Sequence, residues 1–227
     1  RKQDSFGLLK KTIGRLGEPV IRKSMNYAMK IMGKQFVMGE TITAATERAA
    51  TKEQQGYVYS YDMLGEGART MADAERYLKA YQDAIEVIGE VAVASGKNDP
   101  RKVPGISVKL SAIHPRYEFS HKTRVMAEIV PKLKALCLQA KSYNIGLTVD
   151  AEESERLDIS LDIIEAVFSD NELGDWDGFG IALQAYQKRA IFVVDWLREL
   201  TVRVDRKMMV RLVKGAYWDT EIKNAQK

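Results

Sequence analysis

Five short apolar runs begin near residues 57, 106, 146, 178 and 208, and a stretch with helical periodicity separates each pair. A chain that alternates strand and helix in this way has few architectures open to it. Each crossover passes through a helix, so the strands are parallel and the crossovers right-handed. The runs are Tyr57-Val-Tyr-Ser-Tyr-Asp-Met63, Ile106-Ser-Val-Lys-Leu-Ser111, Gly146-Leu-Thr-Val-Asp150, Gly178-Phe-Gly-Ile-Ala-Leu-Gln184 and Met208-Met-Val-Arg-Leu-Val213. Their β-branched and aromatic content suits strands. The helices between them are read over Met71–Ala94 (Tyr77, Tyr81, Ile85 and Ile88 on one face), Lys122–Tyr143 (Val125, Ile129, Leu133, Leu136 and Ala140 as the buried stripe), Ser154–Phe168, and a segment holding Ile191, Val194, Trp196 and Leu200.

An open doubly wound sheet and a closed (β/α)8 barrel both fit that order. The polar residues decide between them. Asp62, Lys109, Asp150, Gln184 and Arg211 lie inside or at the C-terminal end of successive strands. A barrel gathers those ends around one mouth, whereas an open sheet spreads the outermost ones apart. A full barrel needs roughly 250 residues, so residues 55–227 are expected to form only the first five strand–helix units of a TIM-like barrel. Residues 1–54 read as a helical arm. There Ile21, Met25, Ala28, Met32 and Phe36 recur at helical spacing, and Met25, Met29, Met32 and Met38 read as core filler. Thr43 is expected to cap the second helix of the arm.

Several function classes drop out. Thirty-five basic residues against 31 acidic give a net charge of +4, scattered along the chain. That makes no case for nucleic acid binding by this segment, and the basic cluster Lys10, Lys11, Arg22, Lys23, Lys30 and Lys34 reads as a solvated helix face. Cys137 is the only cysteine, which excludes an intrachain disulfide and a cysteine metal cluster, and a reducing compartment fits. No run of about 18 apolar residues and no secretory leader is present. The chain opens at Arg1, as a piece of a longer protein would. Gly65-Glu66-Gly67 lacks the third glycine of a dinucleotide loop and puts a carboxylate where a pyrophosphate would sit. No nucleophile elbow, Walker loop or HExxH motif appears.

The barrel mouth would set Lys109, Arg211 and Lys214 against Asp62, Glu66, Asp150 and Glu152. Mixed charge in a partly dry pocket holds anions and tunes pKa values. The competing reading is an ion-pair network that only closes the barrel top. A divalent metal at Asp150, Glu152 and Glu153 is disfavoured by three nearby cations and the lack of a histidine. His114, followed by Pro115, reads as structural.

Five segments carry a family resemblance: Tyr59-Ser-Tyr-Asp-Met-Leu-Gly-Glu66, Ser107-Val-Lys-Leu-Ser-Ala-Ile-His-Pro-Arg-Tyr117, Asp150-Ala-Glu-Glu-Ser154, Gln184-Ala-Tyr-Gln-Lys-Arg189 and Arg211-Leu-Val-Lys-Gly-Ala-Tyr-Trp218. In order, from about Gly17 onward, they resemble the proline dehydrogenase domain of the bifunctional bacterial proline utilization A flavoproteins. The resemblance implies a distorted (β/α)8 barrel with FAD, oxidising L-proline to Δ1-pyrroline-5-carboxylate and passing electrons to quinone. It implies a cytoplasmic parent protein, peripheral to the inner membrane, with an aldehyde dehydrogenase domain in the same chain. Lys109 resembles the lysine that meets the substrate carboxylate, Asp150 the aspartate of the flavin site, Gln184 the glutamine on the flavin ring and Arg211 the arginine at flavin N5. Val213, Gly215 and Ala216 resemble backbone contacts to FAD, with Lys214 among them. Tyr217 resembles the tyrosine near substrate and Trp218 an aromatic neighbour of the cofactor. The family's later strands, its final helix with a carboxylate-clamping arginine pair, its aldehyde dehydrogenase domain and its short DNA-binding domain are all expected to be missing here. A non-catalytic scaffold or regulatory fragment that keeps the family residues is the alternative.

Overall fold

The structure, a computed structural model, describes residues 18–19, 21–33, 36–63 and 67–226. The chain divides into two units, Arg1–Lys52 and Glu53–Lys227.

In the first unit residues 21–33 are helical, and helix α1 spans Ile42–Glu53. The Thr41 hydroxyl accepts the Ala44 N–H at 3.2 Å. Thr41 therefore fills the capping position expected of Thr43, because the helix starts one residue before Thr43 rather than after it. The core-filler reading of the apolar stripe is corrected too. Ile21, Met25, Met29, Met32 and Phe36 are exposed. Periodicity identified which residues share a face of the helix, but it carries no information about what covers that face.

The second unit alternates strand and helix throughout. It runs β1 (Ser60–Asp62), α2 (Met71–Ala94), β2 (Gly105–Val108), α3 (Lys122–Ser142), β3 (Leu147–Val149), α4 (Leu157–Phe168), β4 (Phe179–Gln184), α5 (Ala190–Val204), β5 (Met209–Val213) and α6 (Trp218–Ala225). The five strands form one sheet in sequence order, and every neighbouring pair is parallel.

Register sets which residues share a face. Asp62 pairs with Ser107, Ser107 with Thr148, Thr148 with Gly180, and Gly180 with Met209. Side chains alternate along each strand, so this row lies on one face together with Arg211, two residues beyond Met209. Ile106, Val108, Leu147, Val149, Phe179, Ile181 and Leu183 lie on the other face and are buried. That second face, with the stripes of α3 (Val125, Ile129, Leu133, Leu136) and α4 (Ile159, Ile163, Ile164, Val167), makes the hydrophobic core. Apart from Met209 the first face carries Asp62, Ser107, Thr148, Gly180 and Arg211, unlike the bulky branched lining usual in such barrels.

Local signals explain the boundaries. Thr70 and Asp73 form a reciprocal capping box at the start of α2. The Arg206 guanidinium donates to the carbonyls of Phe168, Asp170 and Gly174, placing a cation at the C-terminal end of α4 where the helix dipole favours it. Among the described residues no helix is long and apolar enough to cross a membrane.

Candidate active site

The C-terminal strand ends carry a continuous ion network. Lys109 leaves β2 directly, and its Nζ donates to both carboxylate oxygens of Asp62 at 2.7 and 2.8 Å. The same ammonium reaches Asp150 Oδ2 at 3.1 Å, just past β3. From β5, Arg211 donates to Asp150 Oδ1 and, through its other terminal nitrogen, to Ser107 Oγ at 3.0 Å. Two cations and two carboxylates thus alternate in the order Asp62, Lys109, Asp150, Arg211. Lys109 and Asp150 are nearly enclosed, with 14% and 11% of their side chains exposed, while Arg211 keeps 41% and Asp62 46% open. Burial alone would pull the Lys109 ammonium down, but the Asp62 and Asp150 carboxylates outweigh it and hold it above the ordinary lysine value. Lys109 is therefore cationic throughout the neutral range.

Further groups fix the backbone under the network. The Tyr81 hydroxyl accepts the Lys109 N–H at 3.2 Å, and burial pushes that phenol up to about 12. Gln184 is buried at the end of β4. Its Nε2 donates to the Glu152 carbonyl at 2.8 Å and its Oε1 accepts the Ala216 N–H at 3.1 Å. Gly215 has φ of 115°, and a Cβ there would lie 2.1 Å from the Tyr186 ring, so its close approach is to Tyr186. The Tyr186 hydroxyl donates to Glu221 of α6.

The structure brings Lys109, Asp150, Arg211 and Asp62 together, and it uses Gln184 and Ala216 to tie two loops. Val213 ends β5, and its carbonyl accepts the Ala185 N–H. Lys214 is exposed and enters the ties through its carbonyl, which accepts the Tyr186 N–H. Tyr217 precedes α6, and Trp218 begins it and is exposed. Glu66 lies outside the described residues. Asp150, Glu152 and Glu153 diverge: the first faces the two cations, and the other two pair with Arg156. His114 is buried, with Nδ1 accepting the Arg116 N–H and Nε2 against Glu128. Sequence reasoning missed Ser107 and Tyr81 as partners of the network. Only the parallel register, which sets Ser107 beside Asp62, would have pointed to Ser107.

The family profile described as Proline dehydrogenase matches residues 45–227. The chain belongs to the proline dehydrogenase family. A second profile, described as the DNA-binding domain of Proline dehydrogenase, matches residues 1–36. That corrects the expectation that this domain is missing: part of it is matched at the N-terminus. A charge balance averaged over 227 residues carries no information about a 36-residue segment. The chain is 52% identical over 218 residues to the Bifunctional protein PutA of Klebsiella aerogenes, covering 96% of this chain and 16% of that protein. It is thus similar to a small part of much longer relatives. A solved variant of Proline Utilization A from Bradyrhizobium japonicum shares 54% identity with a TM-score of 0.78, over 95% of this chain and 22% of that one. The Bdellovibrio bacteriovorus protein of the same name, at 20% identity, has a TM-score of 0.84 over 91% of this chain and 22% of that one, and shows the common fold.

The site residues suit the flavin that the family resemblance implies. A ring that gains negative charge needs a partly open cation with donors to spare. Arg211 spends two of its five N–H groups on Ser107 and Asp150. The Arg211 side chain is 41% exposed.

Proposed function

We propose that this chain supplies the proline-oxidising site of an FAD-dependent proline dehydrogenase, converting L-proline to Δ1-pyrroline-5-carboxylate. The observation that supports this best is the network of Lys109, Asp150 and Arg211 at the strand ends of a chain in this family. Bound FAD would supply the hydride acceptor, and quinone would take the electrons onward. Lys109, locked in its cationic form, orients the substrate carboxylate. Arg211 would stabilise the negative charge that a bound flavin takes up on accepting hydride, and its position is set beforehand by Asp150 and Ser107. Asp150 holds both cations apart and in place. Gln184 and the backbone of Val213, Lys214, Gly215 and Ala216 border the cofactor, with Trp218 beside it and Tyr217 toward the substrate. The parent protein is cytoplasmic, meets quinone at the membrane surface, and carries an aldehyde dehydrogenase domain in the same chain.

The test is anaerobic titration of the intact, flavin-loaded protein with L-proline, followed by a quinone analogue. Proline bleaches the flavin band and the quinone restores it. A protein that binds FAD and is not bleached by proline would be the non-catalytic scaffold instead.

A further inference from the structure

Two residues further along the strands than the ion network, a second set of hydrogen bonds runs through all five strand exits. Gly67 N and Ala68 N, after β1, donate to Ser111 Oγ at 3.2 Å and Ser111 O at 2.9 Å. Ser111 N, after β2, donates to Glu152 Oε1 at 3.0 Å. The Glu152 carbonyl, after β3, accepts Gln184 Nε2 from β4, and Gln184 Oε1 accepts Ala216 N after β5. Glu152 stands in the middle of this belt and joins it twice, by side chain and by backbone.

Its place relative to the site is regular. Ser111 follows Lys109 by two residues, and Glu152 follows Asp150 by two. The Lys109–Asp150 ion pair and the Ser111–Glu152 hydrogen bond are therefore two rungs between the same two strand exits. The Glu152 side chain is only 4% exposed, and burying a carboxylate costs several kcal/mol before its partners are counted. Pairing with Arg156 does not account for it, because Glu153 also holds that guanidinium, at 3.0 Å. What Glu152 supplies besides is the acceptor for the Ser111 N–H, at 3.0 Å.

We propose that Glu152 is a positioning residue that fixes Lys109 against Asp150 by holding the two strand exits in register. Its reach, and not its charge, carries the role. The inference rests on the proline-oxidising reading of the site, since the consequence of lost register is a misplaced substrate anchor. An anchor drawn out of place weakens binding of the carboxylate in ground and transition states alike.

Two conservative variants of the intact protein separate reach from charge. Glu152→Gln keeps the Oε1 acceptor and loses the charge; Glu152→Asp keeps the charge and falls short of Ser111. The expectation is that Glu152→Gln retains wild-type KM for proline. Glu152→Asp raises KM about tenfold with kcat little changed, as expected when an interaction common to ground and transition states is lost. Amide hydrogen exchange gives a second readout that is independent of turnover. It should rise in Glu152→Asp at residues 110–113 and 67–68 while α2 stays protected, and stay at the wild-type level in Glu152→Gln. Wild-type KM and exchange in Glu152→Asp overturn the proposal, as does a Glu152→Gln protein impaired as much as Glu152→Asp, which would make charge the operative property. Absence of proline-dependent flavin reduction in the wild type would defeat the functional reading instead, and the exchange comparison would still judge the belt.

Discussion

Asp62 grips Lys109 with both carboxylate oxygens, at 2.7 and 2.8 Å from Nζ, from the neighbouring strand. The ammonium assigned to the substrate carboxylate is thus already bound to a carboxylate of the protein. On the proposed function, substrate would share or displace Asp62, whose side chain is 46% exposed, while Asp150, 11% exposed, stays on the ammonium. Asp62→Asn removes the competitor and leaves Lys109 charged. The pair is open to solvent only on its Asp62 side; at about 1 kcal/mol for such a pair, KM for proline should fall about fivefold. An increase in KM would make Asp62 an orienting partner of Lys109 and not a competitor.

On the proposed function, Arg211 bears on the developing charge and Lys109 on the substrate anion. Removing one preorganised group from such a site costs about 2–4 kcal/mol in the transition state. Arg211→Met or Lys109→Met should each lower kcat/KM for proline about a hundredfold or more, measured as quinone-analogue reduction by the flavin-loaded protein. Wild-type rates in both variants would leave the network with only a structural role.

Most of this architecture was legible because the strands are buried and short. Runs such as Gly178-Phe-Gly-Ile-Ala-Leu-Gln184 announce themselves by continuous apolarity, and β4 spans Phe179–Gln184. The first run was overread: Tyr57 to Tyr59 have aromatic β-forming side chains, yet only Ser60–Asp62 pair with β2. The stripe Val125, Ile129, Leu133, Leu136 and Ala140 is buried as its spacing requires. The stripe from Ile21 to Phe36 has the same spacing and is exposed, because periodicity describes one helix and burial needs two surfaces. The ion network at the strand ends was half legible. Polar residues at strand ends picked out Asp62, Lys109, Asp150, Gln184 and Arg211. Ser111 as the partner of Glu152 was not legible, since that contact joins residues 41 apart through a turn no pattern marks.

His114 looks like a candidate base and is built as a strut. Nδ1 accepts the Arg116 N–H at 3.0 Å, and Nε2 meets Glu128 at 2.9 Å. His114→Ala leaves the Arg116 N–H without its acceptor, which costs roughly 1–3 kcal/mol. The denaturant midpoint should drop accordingly, with no limb lost from the pH profile of turnover. Loss of a limb would return His114 to the chemistry.

Burial raises the Glu152 carboxyl above its ordinary value of 4.5, against the lowering effect of the Ser111 hydrogen bond and Arg156. Between the unfolded and folded pKa values the folded protein binds more protons. The stability tied to this group is therefore present below 4.5 and is lost as pH rises through the raised value. Glu152→Gln does not titrate. Its melting temperature relative to wild type should move in its favour between about pH 4 and about pH 7. A gap that shrinks over that interval would mean that Arg156 and Ser111 dominate burial and that the carboxyl is lowered.

Gly215 combines two demands. Its φ of 115° lies where side chains are rarely found, and a Cβ would meet the Tyr186 ring at 2.1 Å. The strained backbone costs about 1–3 kcal/mol and the overlap adds a similar amount. Gly215→Ala should therefore destabilise the protein and displace the loop that carries Ala216 N to Gln184, lowering FAD retention in the purified protein. The two demands separate in a cycle with Tyr186→Ala. Removing the ring relieves the overlap and leaves the dihedral, so the double variant should recover about half of the lost stability relative to Tyr186→Ala alone. No recovery would assign the whole requirement to φ, and full recovery would assign it to the ring. The cycle thus decides whether Gly215 is required by its φ of 115°, by the Tyr186 ring or by both.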